Sequence, residues 1–493
     1  MLEHLIHTNF ILQADSYKFQ HFEELPDDAE FSYVVVVPRK VSKYTKSIAA
    51  MGQAMVASYF ASVRITNEMI DEAEAEASAQ GYEINRKAWE IIVNEIGGCL
   101  PLQIMGIDEG RIIKPQTPIM SIVNTDSRFP WLPTYVETIV QNIVWKMTTV
   151  ASICKTVRTS LEGWCEFSGT DKSAVNFMLH NFGDRGADGP EAAVIAGIAH
   201  AALFDGSDCS QTNRYIKKLY NTQKSYTSSI EATEHSVMCS HSNAANRDDF
   251  GAAKMLVKRL ASAINRASRG IGIPFISGVI DTYDSRRFVR DYIGTQLKQE
   301  ILDLTRDTGG RLICRPDSGN PTKEPGLVGK DLQDTFGITF NSKGFKVLHP
   351  SVGVIQGDGI RVDTFESVIE GWICGAGFSL DNFALGMGSG VTHDGGRDDF
   401  SFSVKAIALS TASQGWTRLL KEPITDKGKT SLTGLIACKE VEGELVVYDA
   451  LATLDAGSAF SAFSNSECWH MWFCNGRQTY QQSFDDVRAR ARA

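Results

Sequence analysis

The chain has little of what marks several common protein classes. Its ten cysteines never form a Cys-x-x-Cys pair. Cys468 and Cys474 lie close together with His470 between them, but no second pair at ligand spacing accompanies them, so a zinc site is not expected. There is no basic excess: the net charge is −10 at pH 7, which argues against a nucleic-acid partner. It leaves room for anionic small ligands, because Arg and Lys can be concentrated in one pocket. No apolar stretch approaches the length of a membrane span, so no membrane partner is expected. The opening Met1-Leu2-Glu3-His4 lacks the basic and then apolar regions of a signal peptide. Scattered thiols in such a chain predict a reduced, cytoplasmic setting. Low-complexity segments are missing as well.

What is present is an ordinary globular composition, 43% hydrophobic and 22% charged over 493 residues, enough for two or three domains. The rhythm changes twice. Residues 1–150 hold a strand-like run at 31–37, an acidic helical stretch at 65–97, short strand candidates at 102–107, 112–113 and 117–123, and one long helix over 131–161. Pro130 and Pro133 stand at that helix's start, where the first turn tolerates them. Over 151–396 strands alternate with helices, beginning with a strand at 175–179 and a helix at 192–204. Alternation of this kind predicts parallel strands with crossover helices. Over 397–493 hairpins return, with turn signals at Glu442-Gly443 and Asn475-Gly476. A capping-box-like start at Ser483 predicts a terminal helix.

Four segments of the middle region share one grammar, an apolar run ending abruptly in a polar turn. Residues 273–280 run into Asp281-Thr282-Tyr283-Asp284. Residues 312–314 run into Arg315-Pro316-Asp317-Ser318-Gly319-Asn320. Residues 352–355 run into Gln356-Gly357-Asp358-Gly359, and 383–385 into Gly386-Met387-Gly388-Ser389-Gly390. Apolar runs read as strands buried on both faces. The carboxyl ends of such strands are where α/β folds bind ligands. A single Asp after a strand is usually a helix N-cap; three at comparable places can together hold Mg²⁺ through oxygen ligands. Glycine amides can face a phosphate. The glycine turn lacks the full G-x-G-x-x-G spacing and the following acidic residue of a dinucleotide site. His235 lies beside Glu231 and Glu234, neighbours that suit a general base or nucleophile. Phe182 and Arg185 combine an aromatic face with a guanidinium, which suits a flat heteroaromatic ring. Taken singly, each has a plainer reading: an edge histidine, a strand cap with a core Phe, and for Arg397 to Lys405 an ordinary basic strand.

In this order, these strings closely resemble the nicotinamide phosphoribosyltransferase family. The resemblance runs from Asp15-Ser16-Tyr17-Lys18 through Phe182-Gly183, Arg185-Gly186 and Ala232-Thr233-Glu234-His235-Ser236. It continues through Asp281 to Asp284, Arg315 to Pro321, Val354 to Gly359 and Arg397-Asp398, and ends at Ser483 to Arg488. It implies a type II phosphoribosyltransferase fold: α/β, an irregular (β/α) barrel plus a β-rich α+β domain built from both chain ends. It implies transfer of phosphoribosyl from phosphoribosyl pyrophosphate to nicotinamide, giving nicotinamide mononucleotide and pyrophosphate in NAD biosynthesis. Mg²⁺ would take part, with ATP as coupling co-substrate, and a homodimer would share its active sites.

By the same resemblance, Phe182 and a partner's Tyr17 sandwich the pyridine ring. Arg185 contacts the carboxamide and Asp208 accepts from its NH₂. Asp281, Arg315, Asp317, Gly357 and Asp358 line the ribose and metal region, with Asp281 and Asp317 on the metal. Gly388 and Ser389 cradle the 5′-phosphate, and Arg39, with a partner's Arg397 and Lys405, holds pyrophosphate. His235 is the phosphorylated histidine, and Lys421 and Lys429 (or Lys427) lie near the phosphates. Three positions depart from the family pattern: Asp184 replaces an aromatic residue, Gly353 a basic one and Ser389 a glycine. Rival expectations are the same chemistry on nicotinate, disfavoured by Asp208, and a non-catalytic dimeric scaffold, disfavoured by the intact polar set. A dinucleotide oxidoreductase is disfavoured by the missing fingerprint.

Overall fold

Six short strands lie side by side, all parallel. They are β1 (Leu179–Asn181), β2 (Glu231–Ala232), β3 (Phe275–Val279), β4 (Arg311–Arg315), β5 (Val352–Gln356) and β6 (Phe383–Met387), in the order β1-β6-β5-β4-β3-β2. The computed structural model describes residues 9–45, 47–425, 431–453 and 463–493. The sheet curls back on itself through two parallel bridges, Asn181 with Ser207 and Gly206 with Ser228, the latter just ahead of β2. This is the irregular barrel. β5 is buried along its whole length, and β3 is buried from Ile276 onward, as a parallel sheet covered on both faces requires.

Crossover helices fill the gaps. Pro190–Leu203 follows β1, Phe250–Ser268 precedes β3, and Lys298–Thr305 and Glu324–Phe336 flank β4. The barrel belongs to a unit made of Ile153–Asn213 and Ser225–Asp394.

The other unit comprises Met1–Ser152, Arg214–Lys224 and Gly395–Ala493. Its centre is a seven-stranded antiparallel sheet that interleaves both chain ends. Ser403–Thr411 pairs with Ala29–Val37, which pairs with Met120–Asn124, and His470–Cys474 pairs with Leu102–Gly106. The final hairpin turns at Asn475 and Gly476, both with φ in the left-handed region (46° and 78°), as a two-residue Asn-Gly turn demands. Ser483 caps the last helix, Phe484–Arg492, by accepting from the Asp486 N–H.

Three expected elements differ. The helix expected over 131–161 is two, Leu132–Tyr135 and Glu137–Ser168, separated at Val136, whose ψ of 4° leaves the helical range. The strand expected at 175–179 is instead the 3₁₀ turn Lys172–Phe177. The Asp171 side chain accepts from the Ser173 N–H and nucleates that turn, so β1 starts at Leu179. The stretch 65–97 is a pair of helices, Asn67–Ala79 and Arg86–Ile96, each with its own side-chain cap, Thr66 and Asn85. No helix among the described residues is long and apolar enough to cross a membrane.

Candidate active site

The carboxyl ends of the barrel strands surround an open cavity of about 970 Å³. Phe182, Arg185, Asp208, His235, Arg315, Asp317, Gly357, Asp358, Gly388 and Ser389 all line it. Ten residues singled out from the sequence are thus gathered from six separate segments.

His235 opens the short helix His235–Ser240 that follows β2. Its Nε2 lies 3.2 Å from Asp281 Oδ1 and its Nδ1 3.8 Å from Asp317 Oδ2. The imidazole is half exposed, while the Asp281 side chain is 8% exposed. Asp281 organises three groups at once. Besides His235, its Oδ2 accepts the Asp317 N–H at 3.0 Å and the Ser318 hydroxyl at 2.5 Å. One strand-end carboxylate therefore fixes both the histidine and the turn that carries the second carboxylate.

Arg315 closes β4. Its Nη2 donates to the Thr233 carbonyl at 2.7 Å, while its Nε is buried with no hydrogen-bond partner among the described residues. A buried, unmatched guanidinium N–H is costly unless a ligand oxygen meets it.

The aromatic wall is set by a close approach. A Cβ on Gly386 would lie 2.2 Å from Cε2 of Phe182, so only glycine lets the ring lie flat on β6. The Phe182 N–H donates to the Met387 carbonyl at 2.8 Å, pinning the turn after β1 to the end of β6. Asp208 follows the bridge residue Ser207; its N–H donates to the Asn181 carbonyl at 3.0 Å, and its carboxylate accepts the Ser229 hydroxyl. Beside it, burial, reinforced by the Asp184 carboxylate, pushes the Cys209 thiol up to about 12, which disfavours the thiolate.

Tyr17, Arg39, Arg397, Lys405 and Lys421 belong to the antiparallel unit. Tyr17 is exposed. Arg39 and Lys405 share a small depression with Ser403 and Ser431; Val35 and Lys405 are paired across neighbouring strands, and Arg39 Nε donates to the Ser401 carbonyl at 2.9 Å. Arg397 pairs with Asp398 at 2.7 Å. Lys427 and Lys429 lie outside the described residues. Among the described residues, no group of three or more His, Cys, Asp or Glu side chains is disposed to hold a metal by itself.

Known proteins resemble both parts of the chain. Residues 177–453 match the nicotinate phosphoribosyltransferase (NAPRTase) family, and residues 9–104 match the N-terminal domain of nicotinamide phosphoribosyltransferase. A nicotinamide phosphoribosyltransferase of Xanthomonas campestris is 30% identical over 98% of both chains. The chain belongs to the nicotinamide phosphoribosyltransferase family. It is thus an enzyme of the pentosyltransferase class. A second relative of the same name, from Acinetobacter baylyi, is 30% identical over 80% of this chain and 76% of its own. Human nicotinic acid phosphoribosyltransferase shares the fold at a TM-score of 0.54 and 13% identity, over 97% of this chain and 93% of its own. A nicotinate-nucleotide pyrophosphorylase of Pyrococcus furiosus does so at 0.57 and 12%, over 98% and 94%.

Sequence reasoning missed two members of the site. Arg361 lines the cavity two residues beyond Gly359, and Asp394 is paired with it. The available signal is the continuation of the Gln356 to Gly359 turn beyond its last glycine. Asp184, noted for replacing an aromatic residue, also lines the cavity.

Proposed function

We propose that the chain transfers phosphoribosyl from phosphoribosyl pyrophosphate to nicotinamide, releasing pyrophosphate, as a step of NAD biosynthesis. The observation that carries this is His235 held between Asp281 and Asp317 in the cavity that also contains Phe182, Asp208 and the Gly388–Ser389 loop. Breaking the bond between ribose C1 and pyrophosphate develops positive charge on the sugar and negative charge on the leaving group. Asp317 and Asp358 stabilise the first, and Arg315, whose Nε awaits a partner, stabilises an anionic oxygen. Phe182 supplies a flat face for the pyridine ring. Asp208 accepts from the amide NH₂ and repels the carboxylate of nicotinate, which favours nicotinamide as the base.

ATP acts as a coupling co-substrate through His235. With Nε2–H donated to Asp281, Nδ1 carries the lone pair. It attacks the γ-phosphorus of ATP, a P–N bond forms as the bond to the ADP oxygen breaks, and water later cleaves P–N to give phosphate. Mg²⁺ fits the donors present: it is commonly held by one or two carboxylates plus substrate phosphates rather than by an all-protein cage. Asp317, with Asp281 behind it, would hold the ion, which would neutralise developing phosphate charge.

A homodimer completes the site, with the second copy supplying Tyr17 to the pyridine ring and Arg397 and Lys405 to pyrophosphate, beside Arg39. Lys421 and Lys429 assist at the phosphates. The deciding experiment is a product assay with phosphoribosyl pyrophosphate, Mg²⁺ and either nicotinamide or nicotinate, with and without ATP. Nicotinamide mononucleotide, formed faster with ATP, is the expected result; a clear preference for nicotinate overturns the choice of base.

A further inference from the structure

Arg361 lines the cavity on the turn that follows β5, and no step above uses it. Its Nη2 lies 2.6 Å from Oδ1 of Asp394, and the two partners are unequal: the Asp394 side chain is 1% exposed, that of Arg361 51%. Oδ2 of Asp394 accepts the Val362 N–H at 2.7 Å. Its own N–H donates to the Gly390 carbonyl at 3.2 Å. A Cβ on Gly390 would lie 2.9 Å from that Oδ2 and 3.1 Å from the Ile360 carbonyl oxygen. Asp394 therefore ties the turn after β5 to the glycine loop after β6. Arg361 rises from this joint with its Nη2 ion-paired to the buried Oδ1 of Asp394, which accepts no hydrogen bond among the described residues, and with the rest of its fork exposed.

A phosphate monoester carries about −1.5 to −2 charges at neutral pH. The cavity wall sets five carboxylates, Asp184, Asp208, Glu234, Asp317 and Asp358, against the guanidiniums of Arg185, Arg315 and Arg361. The family resemblance gives Arg185 to the carboxamide and Arg315 to the ribose region, and the backbone amides of Gly388 and Ser389 carry no net charge. A monoester seated on that loop needs a fixed cation beside it. A guanidinium already anchored on one edge can take two phosphate oxygens with its remaining N–H groups and loses little further freedom in doing so.

We infer that Arg361 binds the 5′-phosphate of the phosphoribosyl donor together with the Gly388–Ser389 loop, and that Asp394 is its positioning residue. This rests on the phosphoribosyl-transfer reading of the cavity. The test is calorimetric titration of the full-length protein and its R361M, R361K and D394N variants with ribose 5-phosphate, ribose and pyrophosphate. It is paired with steady-state kinetics in both substrates. R361M should weaken ribose 5-phosphate binding and raise the KM for the donor about thirtyfold, with the KM for nicotinamide changed less than about twofold. R361K should recover part of the loss, and D394N should show a donor-specific rise of about fivefold. The inference is overturned if R361M binds ribose 5-phosphate within about twofold of wild type. A loss confined to pyrophosphate, or no ribose 5-phosphate binding by wild type, overturns it equally. If wild type makes no nicotinamide mononucleotide while ribose 5-phosphate binding still falls in R361M, the phosphate contact stands and the choice of base fails.

Discussion

Two cavities in the same barrel unit show how one sheet can hold opposite chemistries. At the carboxyl ends of the strands, His235, Asp281 and Asp317 hold one another within 3.8 Å, and His235 and Asp317 remain accessible. A second cavity, of about 360 Å³, is lined by Phe275, Ile313, Ile355 and Phe383 of the strands and by Phe177 of the turn before β1. Its polar lining includes His180, which is buried, and Arg311, which is partly exposed, beside Asp381 and Asn382. Burial lowers the pKa of His180 and makes the Arg311 guanidinium easier to deprotonate than usual. Arg311 meets backbone carbonyls at Pro350 and Asp381 rather than a carboxylate in an ion pair. Polar groups pair with one another where the turns emerge; where the strands lie packed, burial disfavours the charge on His180 and backbone carbonyls cap Arg311. A substitution at the first cavity should change chemistry, and one at the second should change stability.

The largest effect is expected at Asp281. Its carboxylate holds His235, the Asp317 N–H and the Ser318 hydroxyl, so Asp281→Ala loosens the whole cluster. Steady-state turnover should fall about 100- to 1000-fold, the scale of losing a preorganised electrostatic group, with little change in melting temperature. A large stability loss with near-normal turnover would erase the contrast between the cavities. Next comes His235→Ala, which should abolish stimulation by ATP and leave a slower, ATP-independent synthesis. A variant that ATP still stimulates has no phosphohistidine at this position. A smaller change is expected for Asp208→Asn, which removes a negative charge from the cavity wall. The ratio of nicotinamide to nicotinate efficiency should narrow about tenfold, roughly 1.4 kcal/mol. An unchanged ratio would remove Asp208 from base selection.

How much of this was legible in the sequence follows from what fixes each element. The strand-end turns were readable because apolar runs stopping at Asp281, Arg315, Gln356 and Gly386 are local signals. The antiparallel unit was readable as hairpins and rhythm. The order of its sheet, in which 29–37 lies between 120–124 and 403–411, depends on pairing across hundreds of residues, which no local signal carries. The strand expected at 175–179 failed because a side-chain cap at Asp171 outweighed apolar content. Arg361 and Asp394 were invisible for a related reason. They meet across two turns 33 residues apart in the sequence, and each alone resembles an ordinary surface charge. The apolar cavity had no sequence signature either, since the residues that line it are indistinguishable from core.

The smallest effect should come from that second cavity, at His180, and its sign can be worked out. Burial lowers the folded-state pKa of this imidazole below its ordinary 6.5, with the Asp208 charge opposing the shift. Below 6.5 the unfolded chain therefore binds a proton that the folded chain resists, so this group's effect is to reduce stability as pH falls through that value. Above it, both states carry a neutral imidazole and the effect vanishes. His180→Gln removes the titration while keeping a polar side chain. Its melting temperature should decline less than that of wild type between pH 7.5 and 5.5, with the two proteins differing by a constant offset above pH 7. Parallel declines across the acidic range would mean that His180 gains its proton without hindrance, and that the second cavity is wetter than its apolar lining implies.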